Sequence, residues 1–419
     1  MRATPIASIL IALFACGFAG GIDRSVLFAG ETKLNNLVSQ LLEAASISKA
    51  GNAFTFARPR AGWIFISAAY KGKGKVSIVL DKASGGDAVI SHHADGGNLD
   101  EAVRYVAKGE HQIQVDCEGE ISVDKLVVKA IPELIHCGLG FNPAIKSYGL
   151  YDMEFLKKDV LPNVTTLIVP HNIELSQPVV DAWHALGKRF VAEVGIHAQG
   201  KTADDHFKYW TSFVDKAPFL DGILINEFIV NNPSTRPGTT ISPQRQERME
   251  QERQRHRVFE ETIQQMRADD RYREKTFYAY VGGSGKKLNQ EMIGPTFVRT
   301  LIDCDYRIAL ERYIFEVSSE KASKDVLQTF IDGIADWEDK EPGVKEHMVI
   351  AFGLFSMPPG GINKQPNVDY HVWMDQQMNI VANHPAMSGM GGLEWWTSIL
   401  ADEETVRFVG KLYRHYAIE

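Results

Sequence analysis

The chain has 419 residues, of which 44% are hydrophobic and 23% are charged. This composition is that of an ordinary globular protein, and the length leaves room for two domains. The formal net charge of -8 argues against a nucleic-acid partner, because binding to phosphate groups requires a basic surface. A neutral or weakly charged ligand is compatible with this charge.

The first residues have the pattern of a targeting segment. Arg2 provides a positive charge, Ile6–Phe14 forms an apolar stretch, and Gly17 and Ala19 are small residues at a cleavage site. We therefore expect residues 1–19 to be a signal peptide and the protein to be secreted or periplasmic. The apolar stretch is too short to cross a bilayer, so no integral membrane span is expected. The phrase ending in Cys16 also resembles a lipobox, which leaves a lipid anchor as an alternative.

Three cysteines remain after the predicted cleavage: Cys117, Cys137 and Cys304. An odd number with wide spacing does not indicate a disulfide framework. A bridge between Cys117 and Cys137 is compatible with the sequence, but three buried thiols are the expected arrangement. No pair has the spacing of a metal site, and we expect neither a metal nor another cofactor.

Residues 20–50 are predicted to form a helix and a linker. The segment Glu31–Ser46 has Leu34, Leu37, Val38 and Leu41 at the spacing of one helix face. We expect this amphipathic helix to pack on the domain that follows it.

Residues 51–131 change to a period of two, with short strands separated by turns. The predicted strands are Phe54–Phe56, Gly62–Tyr70, Lys75–Leu80, Arg104–Ala107, His111–Asp116 and Lys125–Lys129. Strands of this length and spacing are typical of a β-sandwich. The phrases Arg58–Trp63 and Ala107–His111 resemble those of sandwich modules appended to secreted carbohydrate-active enzymes, which implies a sugar-binding or bracing role. Trp63 either stacks on a sugar or lies in the core, and its apolar neighbours favour the core.

Residues 132–419 alternate between strand-like and helix-like segments. The eight predicted strands are Leu134–Phe141, Thr165–Pro170, Arg189–His197, Leu220–Phe228, Thr276–Gly283, Tyr306–Tyr313, His347–Ser356 and Gly391–Ser398. Eight such units are the number in a (β/α)8 TIM barrel, so the predicted fold class is α/β, with this barrel preceded by a small all-β sandwich. The longest insert contains the charged segment Pro243–Ala268, which is expected to be a solvated helix.

The predicted carboxyl ends of these strands are polar, acidic and aromatic. They provide the candidate residues His171, Asn172, His197, Asn226, Glu227, Tyr280, Glu311, Glu394, Trp395 and Trp396. Active sites of such barrels lie at this end, and carboxylates, amides, imidazoles and aromatic rings suit a sugar ligand. Glu193 lies on the same face of its strand as His197. We expect Glu193 to be structural, with His197 or Arg307 as its partner.

The phrase Ile225-Asn226-Glu227 resembles the end of strand four in the clan A retaining glycosidases. The resemblance implies that Glu227 is the acid/base and that Asn226 holds the sugar 2-hydroxyl. The sequence departs from that family because the seventh strand, His347–Ser356, ends without a carboxylate nucleophile. The phrase Gly391–Trp396 also resembles the last strand of many glycosidase barrels, where a tryptophan forms the floor of a sugar subsite.

The second acid is therefore Glu311 or Glu394. Retaining pairs lie about 5 Å apart and inverting pairs about 6.5–9.5 Å apart. Glu311 is expected on the same side of the barrel as Glu227, which favours retention, whereas Glu394 lies opposite and favours inversion. The adjoining tryptophans favour Glu394. An ion pair with Arg312 would give either glutamate a structural role instead of a catalytic one.

The predicted function is that of a secreted glycoside hydrolase that cleaves a poly- or oligosaccharide with paired glutamates. Two alternatives remain at this point. One is a non-catalytic carbohydrate-binding protein on a degenerate barrel, and the other is a polysaccharide lyase or esterase. In each case the partner is a carbohydrate.

Overall fold

The computed structural model describes residues 26–48, 51–82, 87–139, 149–197, 199–228, 242–282, 295–357, 361 and 363–419. The predicted signal peptide and Cys16 lie outside the described residues. None of the described helices has the length and apolarity needed to cross a bilayer.

The N-terminal domain, here called the sandwich, consists of one seven-stranded antiparallel sheet. Its strands are β1 (Val26–Lys33), β2 (Ser39–Ile47), β3 (Asn52–Arg58), β4 (Gly62–Leu80), β5 (Asp87–Asp95), β6 (Asn98–Val106) and β7 (Gly109–Ile131). The long strands β4 and β7 pair along their whole length, and the other strands pair with them or extend the sheet from β2. β6 pairs with the first half of β4 and β5 with the second half.

Glycines permit the close approach of the two long strands halfway along their length. A Cβ on Gly72 or Gly74 would lie 2.0 Å from a backbone oxygen of β7, and both glycines have positive φ. Only glycine fits such a position without strain. Apolar side chains from both halves of the long strands, such as Ile64 and Ile78, belong to one buried cluster. This single antiparallel sheet therefore has a buried core of its own.

The predicted helix at Glu31–Ser46 is wrong, because β1 and β2 occupy this segment. The register of β2 against β7 shifts between Gln40 and Leu42, so the neighbours Leu41 and Leu42 are both buried. A β-bulge of this kind interrupts the period of two. The resulting adjacent apolar residues imitate helical spacing.

The second domain is a closed barrel of eight parallel strands. They are β8 (Glu133–Cys137), β9 (Thr166–Pro170), β10 (Arg189–Val194), β11 (Gly222–Ile225), β12 (Thr276–Gly282), β13 (Arg307–Arg312), β14 (Met348–Gly353) and β15 (Gly392–Trp396). All eight predicted strands are present with shorter bounds, and the predicted fold class is confirmed. Their apolar side chains fill the barrel and also pack outwards under the helices.

Helices follow the barrel strands in regular alternation. They are α1 (Met153–Leu156), α2 (Gln177–Ala185), α3 (Ala203–Lys216), α4 (Pro243–Ala268), α5 (Pro295–Asp303), α6 (Glu320–Lys340), α7 (Tyr370–Asn383) and α8 (Glu403–Tyr413). The charged helix α4 has the predicted bounds. Glu250 on its exposed face pairs with Arg253 and Arg257 at 3.2 and 3.0 Å.

The sandwich packs against the amino-terminal end of the barrel. The guanidinium of Arg189, at the start of β10, lies 5.0 Å from the ring centroid of Trp63 and 4.3 Å from that of Tyr105. Trp63 is buried in the same apolar cluster as the barrel helices, which confirms its expected core position. At the carboxyl-terminal tail, Arg414 forms two hydrogen bonds of 2.7 Å with Glu101 of β6. Cys117, Cys137 and Cys304 are buried free thiols, as expected.

Candidate active site

Glu227 stands just beyond the buried strand β11, at the carboxyl-terminal end of the barrel. Its side chain is exposed, and its backbone φ is 51°. The N–H of Glu227 donates to Oδ1 of Asn226 at 2.8 Å, and the next N–H, of Phe228, donates to the carbonyl of Tyr280 at 2.8 Å. A non-glycine residue in the left-handed region is uncommon and is often found at functional sites. These hydrogen bonds fix the backbone that presents the carboxylate.

Asn226 is engaged within the protein at both ends of its amide. Its Nδ2 donates to Oε1 of Glu193 at 2.8 Å, while its Oδ1 accepts from Glu227. The expected partners of Glu193, His197 and Arg307, are therefore wrong. Burial raises the pKa of Glu193, against the opposing effects of Asn226 and His171. Asn226 positions Glu193 and Glu227 in this structure.

A cleft of ≈ 500 Å³ opens beside these residues, and we call it the rim cleft. It is lined by Pro170, His171, Asn172, Glu193, Val194, Gly195, Ile196, Asn226 and Glu227. Four of the predicted site residues therefore meet around one opening: His171, Asn172, Asn226 and Glu227. Glu193 joins them, although the sequence assigned it a structural role. Glu193 lies on the same face of its strand as His197, and this pattern could have identified Glu193 as a site residue from the sequence.

His197 lies next to the rim cleft but does not line it. Its ring stacks on Tyr209 with 4.6 Å between centroids and stands 6.0 Å from the ring of His206. These contacts with α3 hold His197 against the helix.

Glu311 is the second carboxyl group near Glu227. It lies half-buried in β13, which pairs with β12, and a Cβ on Gly282 would lie 3.4 Å from its Oε2. Burial raises the pKa of Glu311, and the negative charge of Glu227 raises it further. The strands that carry the two carboxyl groups, β11 and β13, both pair with β12.

Neither arginine considered as a partner of Glu311 pairs with it among the described residues. Arg307 bonds to Asp305 at 3.2 Å and to His347 at 3.2 Å. The guanidinium of Arg312 lies 5.6 Å from the ring centroid of Phe330. The raised pKa of Glu311 is consistent with a carboxyl group that has no cation beside it.

Glu394 has a different environment from Glu311. Its side chain is 0% exposed, and neither oxygen has a hydrogen-bond partner among the described residues. Burial raises the pKa of Glu394 well above its usual value, and the charges of Glu193 and Glu133 add to this effect. Burial therefore favours the neutral form of this enclosed carboxyl group. This placement does not fit the expected role of Glu394 as an open carboxylate facing Glu227.

Aromatic rings line the interior of the barrel near its carboxyl-terminal end. The rings of Tyr280 and Trp396 lie 4.5 Å apart, and the hydroxyl of Tyr280 hydrogen-bonds to that of Tyr313 at 2.8 Å. Trp396 keeps 8% of its surface exposed, whereas Tyr280 is 1% exposed and packs beneath it. A ring at the rim with this packing suits a sugar platform.

Trp395 points to the opposite side of β15. It is fully buried in the cluster between the strands and the helices, with Phe352 at 5.1 Å between ring centroids. Adjacent residues of a strand face opposite sides of the sheet. The position of Trp395 therefore does not fit the expected sugar contact.

Among the described residues, no group of three or more His, Cys, Asp or Glu side chains is arranged to hold a metal ion. The chemistry available at the rim is that of carboxyl groups, an amide, an imidazole and an indole. Such groups move protons and bind hydroxyls.

No family model matches the chain, and no curated protein sequence matches it either. Among solved structures, the endo-beta-N-acetylglucosaminidase from Cordyceps militaris is 11% identical, with a TM-score of 0.41 over 67% of this chain and 90% of that one. A GH18 chitinase from Pseudoalteromonas aurantia is 13% identical, with a TM-score of 0.40 over 67% and 99%.

The beta-glucuronidase from Bacteroides uniformis is 8% identical, with a TM-score of 0.41 over 88% of this chain and 45% of that one. The chain thus spans less than half the length of this enzyme. All three neighbours are glycoside hydrolases by name. At these identities and TM-scores the likenesses carry no argument about chemistry, which has to come from the site itself.

Proposed function

We propose that this protein hydrolyses a glycosidic bond of a poly- or oligosaccharide, with Glu227 and Glu311 as the catalytic pair. One observation carries the proposal: Glu227 and Glu311 stand at the carboxyl-terminal ends of β11 and β13, the two strands that pair with β12. The charge of Glu227 also helps to raise the pKa of Glu311. Two carboxyl groups in different environments are the arrangement that separates an acid from a base or nucleophile.

The environments assign the roles. Because its pKa is raised, Glu311 holds its proton more readily than an ordinary glutamate, so Glu311 is the group that donates the proton to the leaving oxygen. The exposed Glu227 carboxylate attacks the anomeric carbon and forms a glycosyl ester. Glu311 then accepts a proton from water, which hydrolyses the ester with net retention. The resemblance to clan A glycosidases implied that Glu227 is the acid/base. In this assignment Glu227 is the nucleophile and Glu311 is the acid/base.

The remaining rim residues supply contacts to the substrate. His171 and Asn172 are exposed at the rim cleft, where imidazole and amide groups can bind hydroxyls. The ring of Trp396, of which 8% is exposed beside Tyr280, would form the floor of a sugar subsite. Glu193 and Asn226 form a hydrogen-bonded pair at the base of the cleft and would fix the orientation of the substrate.

Substitution of each acid tests the proposal. Glu227→Gln and Glu311→Gln should each lower kcat by at least about 10²–10⁴-fold, because the first removes the nucleophile and the second the acid/base, while each keeps the shape of the side chain. The measurement is the release of reducing ends from a panel of polysaccharides. Glu261→Gln, an exposed position on α4, is the matched control and should leave kcat unchanged.

The alternatives give different outcomes in the same assay. Full activity in both variants would remove the pair from the mechanism. Saturable sugar binding by the unmodified protein without any release of reducing ends would indicate a carbohydrate-binding protein. A product that absorbs as an unsaturated sugar would indicate a lyase.

We also propose that the protein is exported. The support is the charged, apolar and small-residue pattern of residues 1–19. Mass spectrometry of the protein from the medium or periplasm should find an N-terminus near Gly20, or a lipid on Cys16. An intact Met1 on protein that stays in the cytoplasm would contradict export.

A further inference from the structure

A second cleft, of ≈ 510 Å³, lies at the opposite end of the barrel, between the sandwich and the barrel floor. We call it the basal cleft. Arg58, Arg60 and Trp63 of the sandwich line one side, and Arg307 and Glu346 of the barrel line the other. It is separate from the rim cleft, because it lies at the amino-terminal ends of the barrel strands. Nothing in the proposed hydrolysis uses it.

Arg58 is the unusual residue in this cleft. Its side chain is 6% exposed, its buried Nε has no hydrogen-bond partner, and it forms no salt bridge with any described residue. Burial lowers the pKa of Arg58, the charge of Arg60 lowers it further, and Glu31 has the opposite effect. A buried charge without a partner is costly, so such groups are normally paired.

Trp63 gives a second observation of the same kind. Its indole Nε1 is buried and has no hydrogen-bond partner among the described residues, although the ring lines the cleft. Arg58 and Trp63 are both hydrogen-bond donors, and neither can accept. Two buried donors of the basal cleft are therefore unsatisfied by the part of the chain that the structure describes.

Three of the four acidic residues around the cleft are engaged by neighbouring side chains. Glu346 pairs with Arg60 at 2.7 Å, and Asp305 pairs with Arg307 at 3.2 Å. Glu133 accepts hydrogen bonds from two barrel side chains, and Glu31 is exposed to solvent.

The remaining cation in the cleft, Lys33, donates to the neutral acceptors Asn36 and Ser388, at 2.9 Å each. Its positive charge is therefore not neutralised by these contacts. Lys33 and Arg58 together leave the cleft suited to a negatively charged acceptor.

We propose that the basal cleft binds an oxyanion, a carboxylate, sulfate or phosphate group carried on a small polar ligand, and that Arg58 is its main contact. A planar guanidinium matches the two oxygens of such a group and forms short, charge-assisted hydrogen bonds with them. Polar groups at the edge, such as Asn35 and Ser39, would contact the rest of the ligand.

Gly62 leaves space for the guanidinium of Arg58. A Cβ on Gly62 would lie 2.9 Å from Nη2 of Arg58, so a larger residue there would displace the guanidinium. Gly62→Ala is therefore a variant that disturbs the site and keeps its charge.

The experiment is a titration of the full protein with sodium glucuronate, sulfate and phosphate at constant ionic strength, with chloride as the reference. Calorimetry should detect saturable binding of at least one of them, together with a rise in Tm. Arg58→Met should weaken this binding at least about ten-fold, the scale of a lost hydrogen bond to a charged group. Arg253→Met is the matched control and should leave the affinity unchanged, because Arg253 is exposed on α4 and does not line the basal cleft.

Stability provides a second measurement. Without added anion, Arg58→Met should unfold at the same Tm as the unmodified protein or a higher one, since the variant lacks a buried, unpaired charge. If Arg58→Met does not fold, Gly62→Ala replaces it and should also weaken binding. Preference for glucuronate would indicate an acidic saccharide, and preference for sulfate or phosphate a ligand with that group.

Two results would overturn the proposal: no saturable binding of any of the three anions, or equal affinity in the variant that displaces or removes the guanidinium. The test does not depend on the proposed hydrolysis. Glu311→Gln should bind the anion as the unmodified protein does, even if it loses all activity.

Discussion

Glutamate side chains have opposite environments at the two ends of the barrel. At the amino-terminal end, Glu133 is buried and accepts hydrogen bonds from Thr166 at 2.7 Å and Tyr278 at 2.6 Å. Burial lowers the pKa of Arg307, but the charge of Glu133 leads the opposing effects and the pKa is raised overall. This carboxylate is therefore balanced by a cation and by two hydroxyl donors.

At the carboxyl-terminal end, the carboxyl groups are not balanced by cations. Burial raises the pKa of Glu193, Glu311 and Glu394, and the charge of one carboxyl group reinforces the shift of another. Buried groups that raise one another's pKa reduce the stability of the folded state and are a frequent feature of functional sites. Glu133 is thus a structural acid that stabilises the barrel floor, whereas the raised pKa of Glu311 suits proton transfer.

The largest expected effect on stability is at Glu133, at the amino-terminal end of the barrel. Glu133→Gln removes the charge that faces Arg307 and disrupts the hydrogen bonds of Thr166 and Tyr278. Loss of hydrogen bonds to a buried charged acceptor lowers the free energy of unfolding by about 1.5–3 kcal/mol. Urea denaturation measures it, with the exposed Glu120→Gln as control. If Glu133→Gln loses no more stability than the control, Glu133 does not stabilise the barrel floor.

At the carboxyl-terminal end, the raised pKa of Glu394 should make the free energy of unfolding depend on pH. The folded-state pKa of Glu394 is raised above 4.5, so above that pH the folded protein holds a proton that the unfolded chain has lost. Stability therefore falls as pH rises, by about 1.4 kcal/mol per pH unit from this group. Glu394→Gln has no such proton and should lose less stability between about pH 5 and about pH 7.

Denaturation curves at several pH values measure this slope. Glu261→Gln should keep the slope of the unmodified protein, because the group is exposed on α4. If Glu394→Gln shows the same slope as well, the enclosed carboxyl group is not the origin of the pH dependence.

The smallest expected effect is at the contact between the domains. Arg189→Met removes the cation that lies between Trp63 and Tyr105 and keeps much of the aliphatic stem. Such contacts contribute about 0.5–2 kcal/mol, and the loss should appear in the free energy of unfolding. The exposed Arg273→Met is the control. A change no larger than that of the control would mean that this stack does not hold the sandwich on the barrel floor.

Local patterns in the sequence predicted the barrel strands well and the N-terminal segment poorly. Each barrel strand is a short apolar run between helical segments, and this pattern survives folding because both faces are covered. In β2, a bulge places Leu41 and Leu42 together in the core. No periodicity can reveal such an irregularity, because it depends on pairing with β7. β5 was missed altogether, because His92, His93 and Asp95 make it too polar to resemble a strand.

The sequence by itself determined the architecture and the position of Asn226 and Glu227 beyond a buried strand, since these depend on short-range hydrophobic patterns. It also contained the alternation that turns Trp395 away from Trp396. Only the tertiary structure decided which acid accompanies Glu227. Glu311 and Glu394 occupy similar places in their strands, but closure of the barrel leaves one half-buried and the other enclosed. Burial and neighbouring charges set the pKa of a carboxyl group, and both are properties of the assembled barrel.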